Sequence, residues 1–400
     1  MNVLVLNCGS SSVKYQLLDM ARETVLSKGQ VERVGMDDGI LSHQTCKGVK
    51  KRDVLPIKNH AVAIKVILDT LVDKEVGAVG SLSEINAVGH RVVHGAEEFA
   101  GSMLITAEVK SALEKNIPLA PLHNPPNLLG IKAAEDLLPG IPQCGVFDTA
   151  FHTTMPPHAF LYPIPYSLYR ERRIRRYGFH GTSHKYVSER AAHLLGKEYK
   201  GLKIITAHLG NGSSITAVDG GKSVDTSMGY TPLEGLVMGT RSGDIDPALT
   251  YHMVVDMGMT IKEVNDLLNK QSGLKGVSGL SHDMREIEQA MLDGDEGGKR
   301  AFDMFCYRLR KYVGAYAAAM NGLNALVFTG GIGENSPLVR WSVCSNLSVL
   351  GIEVDKEKNE SPAKEKTIST PASRVSVMVI PTNEELAIAR DTAKIVREMA

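Results

Sequence analysis

The alternation of apolar and polar stretches begins with a short hairpin. Val3 to Leu6 form a continuous apolar run, which suits a buried strand. Gly9 allows a tight turn, and Ser10 to Ser12 place hydroxyls and free backbone N–H groups at the bend. Val13 to Leu17 then predict a returning strand. Such a turn can surround a phosphate group with N–H donors, although an ordinary hairpin with a serine-rich turn explains this stretch equally well.

The same pattern occurs a second time. Residues 203–221 read KIITAHLGNGSSITAVDGG, and aligning Ser213 with Ser11 places apolar strand on apolar strand and turn on turn. Internal similarity at a wide spacing indicates a duplicated unit. Two similar halves that each contain a phosphate-type hairpin predict a two-domain enzyme with a nucleotide between the domains.

Hydrophobic periodicity predicts the remaining elements. Apolar residues recur at helical spacing from His60 to Asp73. Further helices are predicted at 107–116, 126–138, 261–269, 283–293 and 298–320, and further strands at 85–88, 142–147, 326–329 and 375–380. Thr182 or Ser183 is a candidate cap for a helix that ends at Leu195, and Thr382 with Glu385 has capping-box spacing for a last helix. The chain is therefore predicted to be α/β, with a domain crossing near residue 150.

Composition narrows the class of protein. The 400 residues, 43% of them hydrophobic, are enough for two domains with full cores. Lys+Arg and Asp+Glu are equal at 45 each, so no overall field attracts nucleic acid or membrane. No apolar run reaches the ~18 residues of a membrane span. The five cysteines are scattered without a CxxC pair, which predicts reduced thiols in a cytoplasmic protein.

Several candidate site residues follow predicted strands. In α/β sheets ligands gather at the carboxyl ends of strands, and Asn7, Arg91 and Asp148 lie at such positions. Lys14 adds a cation to the first hairpin, and Asn7 offers an oxygen to a metal or its waters. Arg91 and Arg241 lie beside glycines, and an arginine fork matches carboxylate and phosphate oxygens. A surface ion pair is the alternative for either arginine alone.

Familiar nucleotide motifs are absent, so a nucleotide site must be built from hairpins and glycine-rich turns. The segment Gly220 to Ser223 ends like a P-loop, but Thr216 occupies the place of its first glycine. Gly330 to Asn335 follows an apolar strand and precedes a helix start at Ser336, which brings backbone close to a ligand. An ordinary β–α turn is the alternative.

Histidine and acidic residues add further candidates. His180 lies between glycines just before a helix, which favours a site histidine over a core one. The pairs His90/His94 and His180/His184 lack the glutamate of a zinc-protease motif, which argues against zinc. Glu384 follows a strand end, where it either complements a helix dipole or binds Mg²⁺.

Taken in order, these motifs resemble the acetate kinase family across essentially the whole chain. The resemblance rests on these stretches: Leu4 to Lys14, Gly178 to His184, Leu209 to Gly212, Met238 to Asp244, Phe328 to Asn335, and Asn383 to Glu385. It implies an α/β fold of two duplicated actin-like ATPase (ribonuclease H-like) domains with an interdomain cleft. The acid-substrate domain would comprise residues 1–150 and 386–400, and the nucleotide domain residues 151–385.

The resemblance also implies an activity. The family transfers the γ-phosphoryl of ATP reversibly to acetate, giving acetyl phosphate and ADP, in a cytoplasmic homodimer that needs Mg²⁺, with Mn²⁺ as the alternative metal. Acetate and ATP would be the partners, without nucleic acid or membrane. A propionate or butyrate kinase of the same family is the alternative, and a nucleotide-driven assembly or chaperone ATPase is a second one.

The family motifs imply roles for individual residues. Asn7 and Glu384 would bind the metal, and Asp148, His180, Arg241 and Arg91 would be catalytic. Arg91, Val93, Leu122, Phe179 and Pro232 would bind the acid. The nucleotide would contact Ser10, Ser12, Lys14, His208, Leu209, Gly210, Asn211, Gly212, Asp283, Met284, Arg285, Gly331, Ile332, Gly333, Glu334 and Asn335.

The role of Asp148 is open at this point. Acetate is already ionised at neutral pH, since carboxyl pKa values lie near ~4, so it needs no general base. We hypothesise that Asp148 orients Mg²⁺, water or an arginine and does not accept a proton.

Overall fold

The computed structural model describes residues 1–121 and 123–399. The chain forms two compact units, one comprising Met1–Ala150 and the segment from Asn383 onward, the other Phe151–Thr382. The return into the first unit therefore begins at Asn383, whereas the family resemblance implied residue 386. The physical reason is that the last helix starts at Glu384, and the Glu384 side chain packs against Arg91 of the first unit.

The first unit is built on a mixed sheet. Its described strands are β1 (Asn2–Cys8), β2 (Ser12–Asp19), β3 (Thr24–Glu32), β4 (Met36–Thr45), β5 (Lys50–Ile57), β6 (Ile85–Val92), β7 (Met103–Leu104) and β8 (Gln143–Phe147), in the order β5-β4-β3-β2-β1-β6-β8-β7. Its described helices are α1 (His60–Leu71), α2 (Ala107–Lys115), α3 (Asn124–Leu137) and α15 (Glu384–Glu398). Strands β1, β6 and β8 pair in parallel.

Helices cover both faces of this central sheet, which explains the continuous apolar run of β1. On one face, Leu4 and Leu6 pack in a core with Ile64 of α1 and Ala134 of α3. On the other face α15 lies close to β6, because Gly89 has no side chain to collide with Ile388 and Thr392.

The second unit is also built on a mixed sheet. Its described strands are β9 (Lys203–Leu209), β10 (Ser213–Asp219), β11 (Lys222–Thr226), β12 (Ala325–Thr329), β13 (Lys366–Thr367) and β14 (Ser376–Val379), in the order β11-β10-β9-β12-β14-β13. Its described helices are α4 (Pro157–Phe160), α5 (Tyr166–Arg172), α6 (Gly181–Leu195), α7 (Ala248–Val255), α8 (Ile261–Lys270), α9 (Gly273–Ser278), α10 (Met284–Leu292), α11 (Glu296–Ala319), α12 (Gly330–Asn335), α13 (Pro337–Cys344) and α14 (Lys356–Glu360). Helix α11 packs on one sheet face and α6 on the other.

The two hairpins that reveal the repeat have the same pairing but different turn lengths. Each unit contains an antiparallel hairpin, β1–β2 in the first and β9–β10 in the second. The first strand of each hairpin also pairs in parallel with a later strand, β1 with β6 and β9 with β12. The pair that closes the turn is Cys8–Val13 in the first hairpin and Leu209–Ser213 in the second. The alignment of Ser213 with Ser11 is therefore wrong in register, because the first turn contains one residue more.

The two predicted helix caps are wrong. Helix α6 begins at Gly181, and its N-cap is His180 in the left-handed conformation with φ 56°, so Thr182 and Ser183 lie inside the helix. At α15 the cap is Asn383, whose side chain accepts from the Leu386 N–H at 3.1 Å. In both cases a hydroxyl predicted to cap is used in a tertiary contact, since the Thr382 hydroxyl donates to the Ser183 Oγ at 2.8 Å.

The segment Gly330–Asn335 is itself a short helix, α12, and is not only a turn. The Ser336 side chain then caps α13 by accepting from the Val339 N–H at 3.0 Å. No helix in the described part of the chain combines the length and the apolar composition that crossing a bilayer requires.

Gly130 provides a test of how closely α3 packs on β1. A methyl group at Gly130 would overlap the Cys8 sulfur, so we expect Gly130→Ala to destabilise the protein by about 1–3 kcal/mol through overpacking. The double variant Cys8→Ala/Gly130→Ala should regain much of that loss, because the deleted sulfur makes room for the methyl. Differential scanning calorimetry of the full chain measures both changes.

Gly314 is the matched control for this experiment. It also lies within a helix, but a methyl there would meet no atom within 4 Å. Gly314→Ala should leave stability unchanged or raise it by up to about 1 kcal/mol. Equal effects of the substitution at both glycines would contradict the close packing of α3 on β1.

Candidate active site

In the first unit, Arg91 and Asp148 form a bidentate ion pair at the carboxyl ends of adjacent parallel strands. Arg91 lies near the end of β6, and Asp148 directly follows β8. The Arg91 Nε donates to Asp148 Oδ1 at 3.0 Å, and Nη2 donates to Oδ2 at 2.7 Å. Asp148 is only 2% exposed. Its charge raises the pKa of Arg91, so the guanidinium stays protonated.

Glu384 brings a second carboxylate to the same arginine. It is the first residue of α15, and its Oε2 lies 3.9 Å from the Arg91 Nε. Burial raises the pKa of Glu384, and the Asp148 charge raises it further, while Arg91 and Lys14 oppose the shift. The cluster holds one guanidinium between two carboxylates, so a further cation near Glu384 would be favourable.

The donor atoms of this cluster are of the kind that Mg²⁺ prefers. Carboxylate and amide oxygens bind Mg²⁺, which keeps several waters and takes few protein ligands. Asn7 lies opposite Lys14 in the β1–β2 pair, and Lys14 in turn acts electrostatically on Glu384. Among the residues that the structure describes, no group of three or more His, Cys, Asp or Glu side chains could hold a metal. The residues therefore fit a metal shared with a ligand and not one enclosed by protein.

Two residues that fix the backbone here were missed by the sequence analysis. The Asn127 amide donates to the Cys8 carbonyl at 2.8 Å and accepts from the Val93 N–H at 3.1 Å, which ties the end of β1 to the segment after β6. The His60 Nε2 bonds the Gly9 carbonyl at 2.7 Å. Both residues lie on helices, and nothing in their sequence spacing distinguishes them from other helical polar residues.

In the second unit, His180 and Arg241 converge on the turn of the repeated hairpin. A Cβ placed on Gly212 would lie 3.5 Å from Arg241 Nη1 and Nη2 and 3.5 Å from His180 Cε1. The Arg241 Nη1 also donates to the Pro232 carbonyl at 2.8 Å, which fixes the guanidinium. Burial lowers the pKa of Arg241. Glycine at 212 thus leaves space where a guanidinium and an imidazole face the same turn.

Hydroxyl groups orient the histidines behind this turn. Ser214 Oγ lies 2.9 Å from His180 Nδ1 and 2.7 Å from His184 Nε2. The His208 ring stacks on the His180 ring with centroids 4.3 Å apart, and its Nδ1 lies 2.8 Å from the Ser183 Oγ. Burial lowers the pKa of His184 well below its ordinary value, so His184 is neutral. Its neutral ring and the Ser214 hydroxyl together set the orientation of His180.

A cavity of about 630 Å³ adjoins the same turn. Its lining contains eight of the residues expected to bind nucleotide, namely Gly210, Asn211, Asp283, Met284, Arg285, Gly331, Ile332 and Asn335. Three further lining residues, His282, Glu288 and Ser336, were missed by the sequence analysis. Each of the three lies close in sequence to a residue expected to bind nucleotide. Glu288, for example, lies one helical turn after Met284 on α10, and this spacing could have identified it.

Other expected nucleotide contacts do not line this cavity. Leu209 and Gly333 are buried, and His208 and Gly212 lie with the histidine group. The Glu334 carboxylate accepts from the N–H groups of Gly330 at 2.9 Å and Thr382 at 3.2 Å, which gives it a structural role. Ser10, Ser12 and Lys14 belong to the first unit.

The residues expected to surround the methyl group are distributed over the chain. Val93 lies in the first unit, whereas Phe179 and Pro232 lie in the second. Phe179 is 4% exposed, and its carbonyl bonds His152 Nε2 at 3.0 Å. Leu122 lies outside the described residues.

The family model and the most similar proteins compared point to the same family. The chain matches the model of the Acetokinase family over residues 2–390. It is 58% identical over 396 residues to an acetate kinase of Pseudothermotoga lettingae, covering 99% of this chain and 98% of that protein. It is 57% identical over 404 residues to an acetate kinase of Thermotoga maritima, covering 100% of both.

Solved structures agree with this match. The crystal structure of Porphyromonas gingivalis acetate kinase has a TM-score of 0.96 and 51% identity, covering 99% of both chains. A propionate kinase from Francisella tularensis has a TM-score of 0.92 and 44% identity, covering 98% of this chain and 99% of that one. The fold is thus the expected α/β fold, shared with that acetate kinase over 99% of both chains, and the chain belongs to the acetokinase family.

Proposed function

We propose that this protein is an acetate kinase that transfers the γ-phosphoryl group of ATP reversibly to acetate, giving acetyl phosphate and ADP. The observation that best supports this is the convergence of Arg241 and His180 on the Gly212 turn, beside a cavity large enough for a nucleoside. In phosphoryl transfer the protein takes little part in covalent chemistry. It aligns the two substrates and neutralises the charge on the phosphoryl oxygens.

The proposed step moves no proton. An acetate oxygen forms a bond to the γ-phosphorus while the bond from that phosphorus to the β,γ-bridging oxygen breaks, and ADP leaves. Arg241 and His180 stabilise the charge on the equatorial phosphoryl oxygens. Arg91 binds the acid, and Asp148 fixes the direction of its guanidinium by accepting hydrogen bonds from its Nε and Nη2. Of the three roles considered for Asp148, this geometry supports orientation of an arginine.

Magnesium, or manganese in its place, would neutralise charge on the ATP phosphates. Asn7 and Glu384 are the residues that would hold it, since they supply oxygen donors beside a cluster with an excess of negative charge. Lys14 would balance a nearby phosphate. We also infer a cytoplasmic location, because Cys8, Cys144, Cys306 and Cys344 are buried free thiols, which suits a reducing compartment.

Propionate is the second candidate substrate. The similarity to a propionate kinase from Francisella tularensis, with a TM-score of 0.92, favours considering it. One methylene group changes binding by only ~1–3 kcal/mol in a pocket. Val93, Leu122, Phe179 and Pro232 are the residues we expect to decide between the two acids.

A second copy of this chain is the partner we propose. Helix α7 has the sequence ALTYHMVV, yet none of its residues is buried. Leu249 is 42% exposed, Tyr251 68% and Val255 54%. An apolar helix left in water is unfavourable, and such a patch marks an interaction site. Self-association across α7 would form the homodimer expected from the family.

The activity is tested with acetate and MgATP, with hydroxylamine to trap acyl phosphate. We expect acetyl hydroxamate and ADP in equal amounts, and the highest kcat/KM for acetate among acetate, propionate and butyrate. A highest value for propionate would move the assignment to the second candidate. Absence of acyl hydroxamate with all three acids would contradict carboxylate phosphorylation.

Asp148→Asn tests the orienting role of this residue. The variant keeps the size of the side chain but loses the charge that holds Arg91, so we expect kcat/KM for acetate to fall by about 100-fold. The Mg²⁺ concentration for half-maximal rate should change little. A change confined to the Mg²⁺ requirement would assign Asp148 to the metal instead.

Glu135→Gln is the control for that variant. Glu135 is also an ion-paired carboxylate of the first unit, bonded to Lys110 at 2.7 Å and 2.9 Å. Loss of this pair should leave both kinetic constants near those of the unsubstituted protein.

Tyr251→Asp tests the proposed dimer. A charge at the centre of the exposed face of α7 should prevent burial of that face, so light scattering after size-exclusion chromatography should give the monomer mass of 43.3 kDa. Tyr166→Asp is the control, since Tyr166 is 61% exposed and lies on α5. A Tyr251→Asp protein that remains dimeric would place the interface elsewhere.

A further inference from the structure

Glu288 has no role in the chemistry described above, yet it lines the nucleotide cavity. It lies on α10, one helical turn after Met284, and is half-buried. Its Oε1 is hydrogen-bonded to the Ser336 hydroxyl. The Ser336 Oγ accepts from the Val339 N–H at 3.0 Å, so the hydroxyl hydrogen is available to the carboxylate. Ser336 therefore holds Glu288 in a defined position.

The second carboxylate oxygen of Glu288 has no such partner. Within residues 1–121 and 123–399, no hydrogen bond to Oε2 is formed, and the Glu288 side chain lines the cavity. Burial raises the pKa of Glu288. A ligand that supplies a donor to this oxygen would form a charge-assisted hydrogen bond, which is stronger than one between neutral groups.

The position of Glu288 along the cavity identifies the part of the nucleotide that it meets. Gly330, at the start of α12, packs against Leu209 next to the turn that Arg241 and His180 face. Ser336 follows the other end of α12, about 9 Å further along at 1.5 Å per residue. Phosphates at the turn would therefore place the nucleobase at the Glu288 end. Between them, a Cβ atom on Gly331 would meet no protein atom within 4 Å, so this wall is open to a ligand.

We propose that Glu288 is a specificity residue that accepts a hydrogen bond from the exocyclic 6-amino group of adenine. An ionised carboxylate is only an acceptor, and the 6-amino group is the only N–H donor on the adenine base. The inference rests on the proposed function, in that it requires ATP to occupy this cavity.

The test compares ATP with purine riboside triphosphate, which lacks the 6-amino group. For the unsubstituted protein we expect kcat/KM to be about tenfold lower with the analogue, the effect of one hydrogen bond to a charged acceptor. Glu288→Ala should lower kcat/KM for ATP to the value for the analogue and bring the ratio of the two nucleotides close to one. The KM for acetate should stay the same.

Glu286→Ala is the matched control, since Glu286 is an exposed glutamate on the same helix, and it should keep the tenfold preference. Glu288→Gln retains an acceptor oxygen without the charge and should give an intermediate ratio. A thermal midpoint for each variant identifies a folding defect. The proposal would be overturned if Glu288→Ala kept the preference for ATP over the analogue, or if the unsubstituted protein showed no such preference.

Calorimetric titration with ADP and purine riboside diphosphate separates this inference from the proposed function. These ligands test recognition of the base without any phosphoryl acceptor. If the protein phosphorylates no carboxylate but still binds ADP more tightly than the analogue, the kinase assignment is rejected and the role of Glu288 is kept. Equal affinity for the two diphosphates would reject the role of Glu288 alone.

Discussion

Parallel pairing of central strands is the constraint on which both candidate sites depend. In the first unit β1, β6 and β8 run in one direction, so Asn7, Arg91 and Asp148 reach the same sheet edge. In the second unit β9 pairs in parallel with β12, so the Gly212 turn and the Gly330 turn adjoin each other. Glycines permit this proximity, because Gly330 has φ 76° and packs directly on Leu209. Backbone geometry therefore gathers polar side chains that are distant in sequence.

Burial then gives the gathered side chains their electrostatic properties. Arg91 lies between two carboxylates that water reaches poorly. The Asp148 charge raises the pKa of Arg91, and burial raises the pKa of Glu384 while Arg91 opposes that shift. In the second unit the cation Arg241 is fixed by a carbonyl and has no carboxylate beside it among its described contacts. The first unit thus has an excess of negative charge where we propose that a cation binds, and the second has positive charge where we propose that phosphate oxygens lie.

Periodicity and motifs were enough to predict the α/β class, most element positions and the family, because strands buried on both faces and glycine turns leave strong local patterns. Residues that act through tertiary contacts left no such pattern. Asn127 and Glu288 lie on helices, where their spacing resembles that of solvated residues. Thr382 and Ser183 have the local signature of helix caps but bond each other instead. Local sequence thus predicts where a hydroxyl or carboxylate lies better than which partner it meets.

The position of α15 has a consequence for biosynthesis. This helix completes one face of the first unit, with Ile388 and Thr392 lying against Gly89, yet it follows the whole second unit in the chain. A ribosome releases the sheet of the first unit long before it makes α15. The face of that sheet that α15 will cover therefore stays exposed to solvent while residues 151–382 emerge and fold. Chaperone binding during translation should concentrate on this nascent sheet, and a fragment that stops at residue 150 should be prone to aggregate.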